Sequence, residues 1–289
     1  NGKLVDKKIS GEVRDITGEP VDEAFVGHFA ADIEEVKRYV GSRIGEMGSA
    51  MYTRDAFFGS SPFIDLVHNL QLGITGADVS FNAPLQLNAV INEGPLYMSD
   101  MFKLYKYENK LCVLRMTGEE IRRHLEMSYD QWVNTMKTPD DHILLLDERN
   151  KTDMQKYGFK NMTFNFDSAA GIDYEVDVTK PDGEKVRILR MADGREFDPG
   201  KWYKVAMNSY RANGGGELLT RGAGIDKKEL LSRVVYESPL DLRHYLAQEI
   251  KKQGRVMPKA NGNWRFVPDS WTKPALERDR NLIFKNNKK

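Results

Sequence analysis

The chain has 289 residues, enough for one large or two modest domains with an ample core. Lysine plus arginine and aspartate plus glutamate each number 43, so no global field draws a polyanionic nucleic acid. Apolar runs such as residues 143–146 are too short to cross a bilayer, and a single cysteine excludes a disulfide framework.

Residues 1–20 are polar, and the opening Asn1-Gly2-Lys3, with no charged-then-apolar leader, reads as a processed or trimmed end. Thr17-Gly18-Glu19-Pro20 marks a turn. From 21 to 47, Phe25, Phe29, Ile33, Val36, Val40 and Ile44 recur at helical spacing, predicting an amphipathic helix broken near Gly41. Ser60-Ser61-Pro62 is a helix entrance, with serine as cap and proline in the first turn. Phe63, Leu66, Val67 and Leu70 then face inward until Gly76 stops the run. A short strand follows over 78–81. Cys112, in an apolar strand over 111–116, reads as a buried, inert thiol.

Thr117 and Glu120 form a capping box for a helix with Ile121, Leu125, Ser128 and Trp132 on one face. Over 172–178 Ile172, Tyr174, Val176 and Val178 alternate with acidic residues, and Pro181-Asp182-Gly183 turns this strand into a second over 185–191. Tyr203, Val205 and Met207 share one face of a strand that runs into Gly214-Gly215-Gly216. Ser238-Pro239 predicts the start of a last helix with Leu240, Leu242, Tyr245, Leu246 and Ile250. Past Pro268 the composition turns polar and basic, which predicts a frayed tail over 269–289. Hairpins with helices set between them predict an α+β fold with much antiparallel pairing.

Catalytic chemistry is hard to place on this pattern. The histidines are His28, His68, His124, His142 and His244, and none sits in an Asp-x-His, Gly-Asn-His or His-x-x-x-His segment. Asp140-Asp141-His142 is the nearest approach to a ligand cluster, and no Ser-His-Asp or Cys-His motif is evident. No metal site is therefore expected in this chain. The glycine run after the strand over 201–207 matches neither the dinucleotide fingerprint nor the P-loop. Taken alone it reads as a tight turn, although it also sets bare amides and one aromatic ring at a sheet edge, where a flat ligand fits.

One family shares this order of segments. Asn208-Ser209-Tyr210-Arg211-Ala212-Asn213-Gly214-Gly215 resembles the substrate loop in the C-terminal domain of the 5′-nucleotidase family. Thr75-Gly76-Ala77-Asp78-Val79-Ser80-Phe81-Asn82-Ala83 resembles its helix-to-strand turn, residues 99–111 the segment with its first base-stacking aromatic, 117–121 the helix start, and 263–266 the last strand. The likeness spans 56–268. Asn82 is followed by Ala83-Pro84-Leu85-Gln86-Leu87 instead of the family's Gly-Gly-x-Arg, and Gly216 replaces its ribose-holding acidic residue. With tyrosine at 107 and 210, these departures resemble the 2′,3′-cyclic-nucleotide 2′-phosphodiesterase/3′-nucleotidase branch.

The resemblance implies a four-layer α/β/β/α fold with mixed sheets, arranged as an N-terminal segment and linker helix over 1–55, a nucleotide-binding domain over 56–268 and the tail. It implies that Tyr107 and Tyr210 stack a base, and that Asn82 and Ser209 supply hydrogen bonds. Asn213 shapes the loop through left-handed geometry, while Gly214 and Gly215 let the ligand approach the backbone. Arg211 either meets the phosphate or is a solvated charge. Without the likeness, Tyr107 reads as a strand-edge ring packed on the core. Two divalent metal ions and the hydrolytic step belong, by the same resemblance, to a metallophosphatase domain outside this chain, joined in cis or acting in trans. The alternative is a free-standing nucleoside-binding module. The resemblance further implies a nucleotide or nucleoside ligand and export to a bacterial periplasm or envelope.

Overall fold

In a computed structural model the described residues are 6–151 and 156–284, so Asn1-Gly2-Lys3 and the basic end 285–289 lie outside them. The chain divides into two compact units, residues 1–41 and 42–289.

In the first unit, Asp22 caps helix Glu23–His28 by accepting from Phe25 N at 3.0 Å, and helix Ala30–Val40 follows after Phe29. Neither helix buries a residue. The helix expected over 21–47 with a break near Gly41 does stop at Gly41, but it is also broken at Phe29 and does not resume beyond the glycine. Ile44 matched its spacing only by coincidence, because it lies in strand Arg43–Met47 of the second unit, between strands Arg255–Val256 and Gly94–Tyr97. Ile44, Met47 and Met51 are buried, so the larger unit begins before the boundary expected at 56.

The second unit is α+β with mixed sheets. Its largest sheet has five strands in the order Val234–Asp241, Lys110–Thr117, Trp202–Asn208, Val79–Asn82, Ser168–Ala170. Only Trp202–Asn208 and Val79–Asn82 pair in parallel. The alternation in its middle strands explains why it is apolar on both faces. Cys112, Leu114, Met116, Tyr203, Val205 and Met207 enter one core with Ile121, Leu125 and Trp132 of helix Gly118–Trp132. Leu111, Val113 and Ala206 enter a second core with helices Pro62–Thr75 and Leu242–Gln253. A strand covered on both sides reads as a nearly continuous apolar run. The Cys112 thiol is buried, and burial followed by nearby Glu237 pushes it up to about 11, so it stays protonated.

The expected hairpin is present: Ile172–Asp177 pairs antiparallel with Val186–Met191 and in parallel with Trp264–Val267. The capping box is also made, Glu120 N donating to Thr117 Oγ1 and Thr117 N to Glu120 Oε2. Gly76 ends its helix in left-handed geometry at φ 59°. Ser61 occupies the cap position of that helix without a side-chain capping bond.

Two expectations fail at the C-terminal end. Ser238 and Pro239 belong to strand Val234–Asp241, and the helix starts at Leu242 under an Asp241 cap. Ser238 Oγ instead accepts from Leu111 N and donates to Leu240 O. Nor is the segment after Pro268 a frayed tail up to residue 284. Asp269–Phe284 is a helix that buries Thr272, Ala275, Asp279 and Ile283. Asp279 reads as a solvent residue in sequence, but its carboxylate accepts from Ile143 N at 2.9 Å and Leu144 N at 3.0 Å, satisfying two buried amides.

Candidate functional site

The register between two strands explains why distant residues converge. Asn208 pairs with Leu111, so the segment entering Lys110–Thr117 and the segment leaving Trp202–Asn208 lie at the same end of the sheet. Lys110 N donates to Ser209 Oγ at 3.2 Å and stitches them together. The chain turns into the short helix Ser209–Ala212, capped by Asn208, whose Oδ1 accepts from Arg211 N at 2.9 Å.

Tyr107 and Tyr210 line one cleft of about 210 Å³ with Leu85, Asn109, Phe164 and Asn208. The two tyrosines are 37% and 43% exposed, which leaves ring surface open to a flat apolar ligand. Phe164 stands edge-on to Tyr210, centroids 6.2 Å apart at 86°. Lys106 Nζ lies 5.6 Å from the Tyr107 ring centroid. A neighbouring hollow of about 540 Å³ shares Leu85, Tyr107 and Phe164 and reaches Lys106 and Tyr157.

The other expected site residues are placed differently. Asn82 is 3% exposed at the end of its strand, its Oδ1 is buried without a hydrogen-bond partner, and it does not line the cleft. Ser209 is occupied by Lys110 N. Asn213 has φ −84° and closes the short helix, so the left-handed positions are Gly214 at φ 86° and Gly216 at φ 70°. The ring of Tyr210 covers one side of Gly215. A Cβ there would lie 2.5 Å from Cε2 and Cζ of Tyr210, so the glycine exists to seat that ring.

Arg211 is not a solvated charge. It is 2% exposed and forks onto Asp167, Nε to Oδ2 at 2.8 Å and Nη2 to Oδ1 at 2.9 Å. His124 Nε2 donates to the same carboxylate at 2.9 Å, which leaves Nδ1 without a proton or a partner. Burial alone would raise the Asp167 carboxyl, but Arg211 and then His124 outweigh it and hold it below the usual range. Burial pushes His124 down against the pull of Asp167, so the imidazole is neutral. Phe164 and Asp167 carry no signal in the sequence, because they sit in an irregular stretch with no periodicity; Asn208 opens the loop segment of the resemblance, without a role of its own there, and the structure makes it the last residue of the strand and the cap of the short helix.

No group of three or more His, Cys, Asp and Glu among the described residues could hold a metal ion. The two-metal chemistry the resemblance implies therefore has no fitting donor set in the described part of this chain. His142 pairs with Asp279, and His68 bridges two serines. No helix of the described residues is long and apolar enough to cross a membrane.

Comparison with known proteins places the chain in a family. The family described as "5′-nucleotidase, C-terminal domain" matches residues 37–221. A 2′,3′-cyclic-nucleotide 2′-phosphodiesterase/3′-nucleotidase of Haemophilus influenzae is 31% identical over 271 residues, 81% of this chain and 38% of that protein. The protein of the same name from Salmonella typhimurium is 26% identical, over 86% of this chain and 41% of its own length. This chain thus spans about two fifths of the length of these relatives. Among solved structures, a 5′-nucleotidase precursor from Thermus thermophilus superposes with a TM-score of 0.60 at 17% identity, covering 85% of this chain and 44% of that one. The NAD nucleotidase of Haemophilus influenzae gives 0.56 at 17%, covering 85% and 42%, and both likenesses speak for the fold alone. The chain belongs to the 5′-nucleotidase C-terminal domain family.

Proposed function

We propose that this chain is the nucleotide-binding, specificity-giving part of a nucleotide phosphohydrolase of the 2′,3′-cyclic phosphodiesterase/3′-nucleotidase type. Tyr107 and Tyr210 take the base between them, and a metallophosphatase domain outside the chain hydrolyses the phosphate ester. The observation that carries the reading is the pair of half-exposed phenol rings lining one apolar cleft. The names of the longer relatives support the substrate class and the reaction. The buried Arg211 adds to it, because the loop offers no free guanidinium to grip a phosphate and leaves that end of the ligand to another domain. Export to a bacterial periplasm or cell envelope is what the family resemblance implies for the whole protein.

Stacking on one aromatic face is worth about 1–3 kcal/mol, so Tyr210→Ala should weaken adenosine or a 3′-nucleotide about 5- to 150-fold in calorimetry. An affinity equal to that of the unaltered chain would refute the sandwich. The chain alone, supplied with manganese or zinc, should release no phosphate from these nucleotides. Turnover would mean the chain contains a complete active site.

A further inference from the structure

The two segments that flank the Tyr210 ring are joined by one side chain. Arg211 has five N–H groups, and each has an acceptor: Asp167 Oδ2 and Oδ1, Phe164 O at 2.9 Å, Asn165 Oδ1 at 3.3 Å, and Gly215 O. Two of these acceptors are main-chain carbonyls on different segments. Phe164 stands edge-on against Tyr210, and Gly215 lies directly under the Tyr210 ring. The guanidinium itself lies 5.6 Å from the centroid of that ring. Its anchor is rigid in turn. Asp167 is held by His124, which stacks on the buried Phe81 with ring centroids 4.0 Å apart and planes within 2°. A chain of contacts thus runs from the core, through Asp167 and Arg211, to both sides of the Tyr210 ring.

We propose that Arg211 is a positioning residue: it never touches the ligand, but by tying Gly215 to the segment of Phe164 it sets the tilt of Tyr210 and so the width of the slot. This rests on the stacking reading above. The physical case is that the half-exposed ring takes its orientation from the two segments it leans on, and Arg211 holds both. A guanidinium fork is pre-organised and can hold two carbonyls and a carboxylate at once. A lysine in its place keeps the charge beside Asp167 but has three donors on a flexible stem, and cannot span both segments.

The test uses the whole chain and two readouts. In the free protein carrying ring-labelled tyrosine, the Tyr210 signal is assigned by its loss in Tyr210→Ala and compared in Arg211→Lys. It should move in the variant, because the ring leaves the edge of Phe164. An unmoved signal overturns the proposal. Second, adenosine affinity is measured for Arg211→Lys, Tyr210→Ala and the double variant. Arg211→Lys should weaken binding about tenfold when Tyr210 is present and add nothing once that ring is gone. The same loss with and without the ring would mean a direct ligand contact or general loosening, and overturns the proposal. If Tyr210→Ala alone leaves adenosine binding intact, the stacking reading fails, and the free-protein signal still decides whether Arg211 sets the ring. Should Arg211→Lys not fold, Asn165→Ala removes one acceptor of Arg211 Nη1 without touching the ion pair or a residue that lines the cleft. It enters the same cycle with the same expected and overturning results.

Discussion

Asp167→Asn is expected to cost the fold about 3–5 kcal/mol, a large fraction of the total for a domain of this kind. The carboxylate is buried and accepts from Arg211 twice and from His124 once. Its neutral replacement leaves a guanidinium, 2% exposed, with no counter-charge in a place water does not reach. Removing one partner of a buried pair leaves the other charge uncompensated, which is why the loss exceeds the net worth of the pair. The sign can be checked with acid as well. Asp167 titrates below its unfolded value, so its contribution is present above the ordinary carboxylate pKa of 3.8 and is lost as pH falls through the folded one. Urea unfolding of Asp167→Asn near pH 7 measures the effect, and a change under about 1 kcal/mol would mean the pair is solvated after all. Replacing both partners, Asp167→Leu with Arg211→Met, should recover part of the loss, since no charge then remains. The recovery stays incomplete because the carbonyls of Phe164 and Gly215 lose their donor.

That network also shows where a sequence stops being legible. Elements set by neighbouring residues could be read directly. The Thr117–Glu120 box, the left-handed Gly76 and the alternation from Ile172 to Val178 depend on contacts within a turn or a strand, and the structure has all of them. Elements that borrow their stability from afar were misread. Arg43–Met47 lies between strands from residues 94 and 255 onward, so nothing local distinguishes Ile44 from the next position of a helix. The helix Asp269–Phe284 looks polar because Asp279 spends its charge on amides at 143 and 144.

The site divides along the same line. The approach of Tyr107 and Tyr210 follows from a motif order that the sheet register then explains. The fate of Arg211 does not, because four of its five acceptors lie more than forty residues away in a stretch that obeys no period. Gly215 was read as room for a ligand, since a sequence cannot say that the neighbouring ring folds back over it.

The second large effect is a loss of stability in mild acid that traces to His68. This side chain leaves helix Pro62–Thr75 and reaches two strands, Nδ1 lying 3.0 Å from Ser80 Oγ and Nε2 3.1 Å from Ser168 Oγ. Ser80 Oγ donates to Gln71 Oε1 at 2.7 Å, so it can only accept from the histidine. The proton therefore sits on Nδ1, and Nε2 accepts from Ser168. No carboxylate among the described residues bonds the ring. Burial drives its pKa down to about 3, and the more distant Asp167 opposes this only weakly. A histidine whose folded pKa lies below its unfolded value of about 6.5 binds its proton first in the unfolded chain. Stability is then whole above pH 6.5 and falls with acid down to the folded pKa, at about 1.4 kcal/mol per pH unit for one such group. Between pH 6.5 and 5 this is about 2 kcal/mol from His68 alone. His124, also buried and neutral, adds with the same sign. Asp65, Glu126 and Asp130 work against both, because burial raises their carboxyls and the folded state then takes up a proton first. The clean quantity is accordingly a difference of slopes. His68→Gln should be less stable than the unaltered chain at pH 7.5, yet lose about 1.4 kcal/mol less per pH unit on the way down to pH 5. Parallel urea-midpoint curves for the two proteins would show that the ring is reached by water or accepts its proton inside the fold.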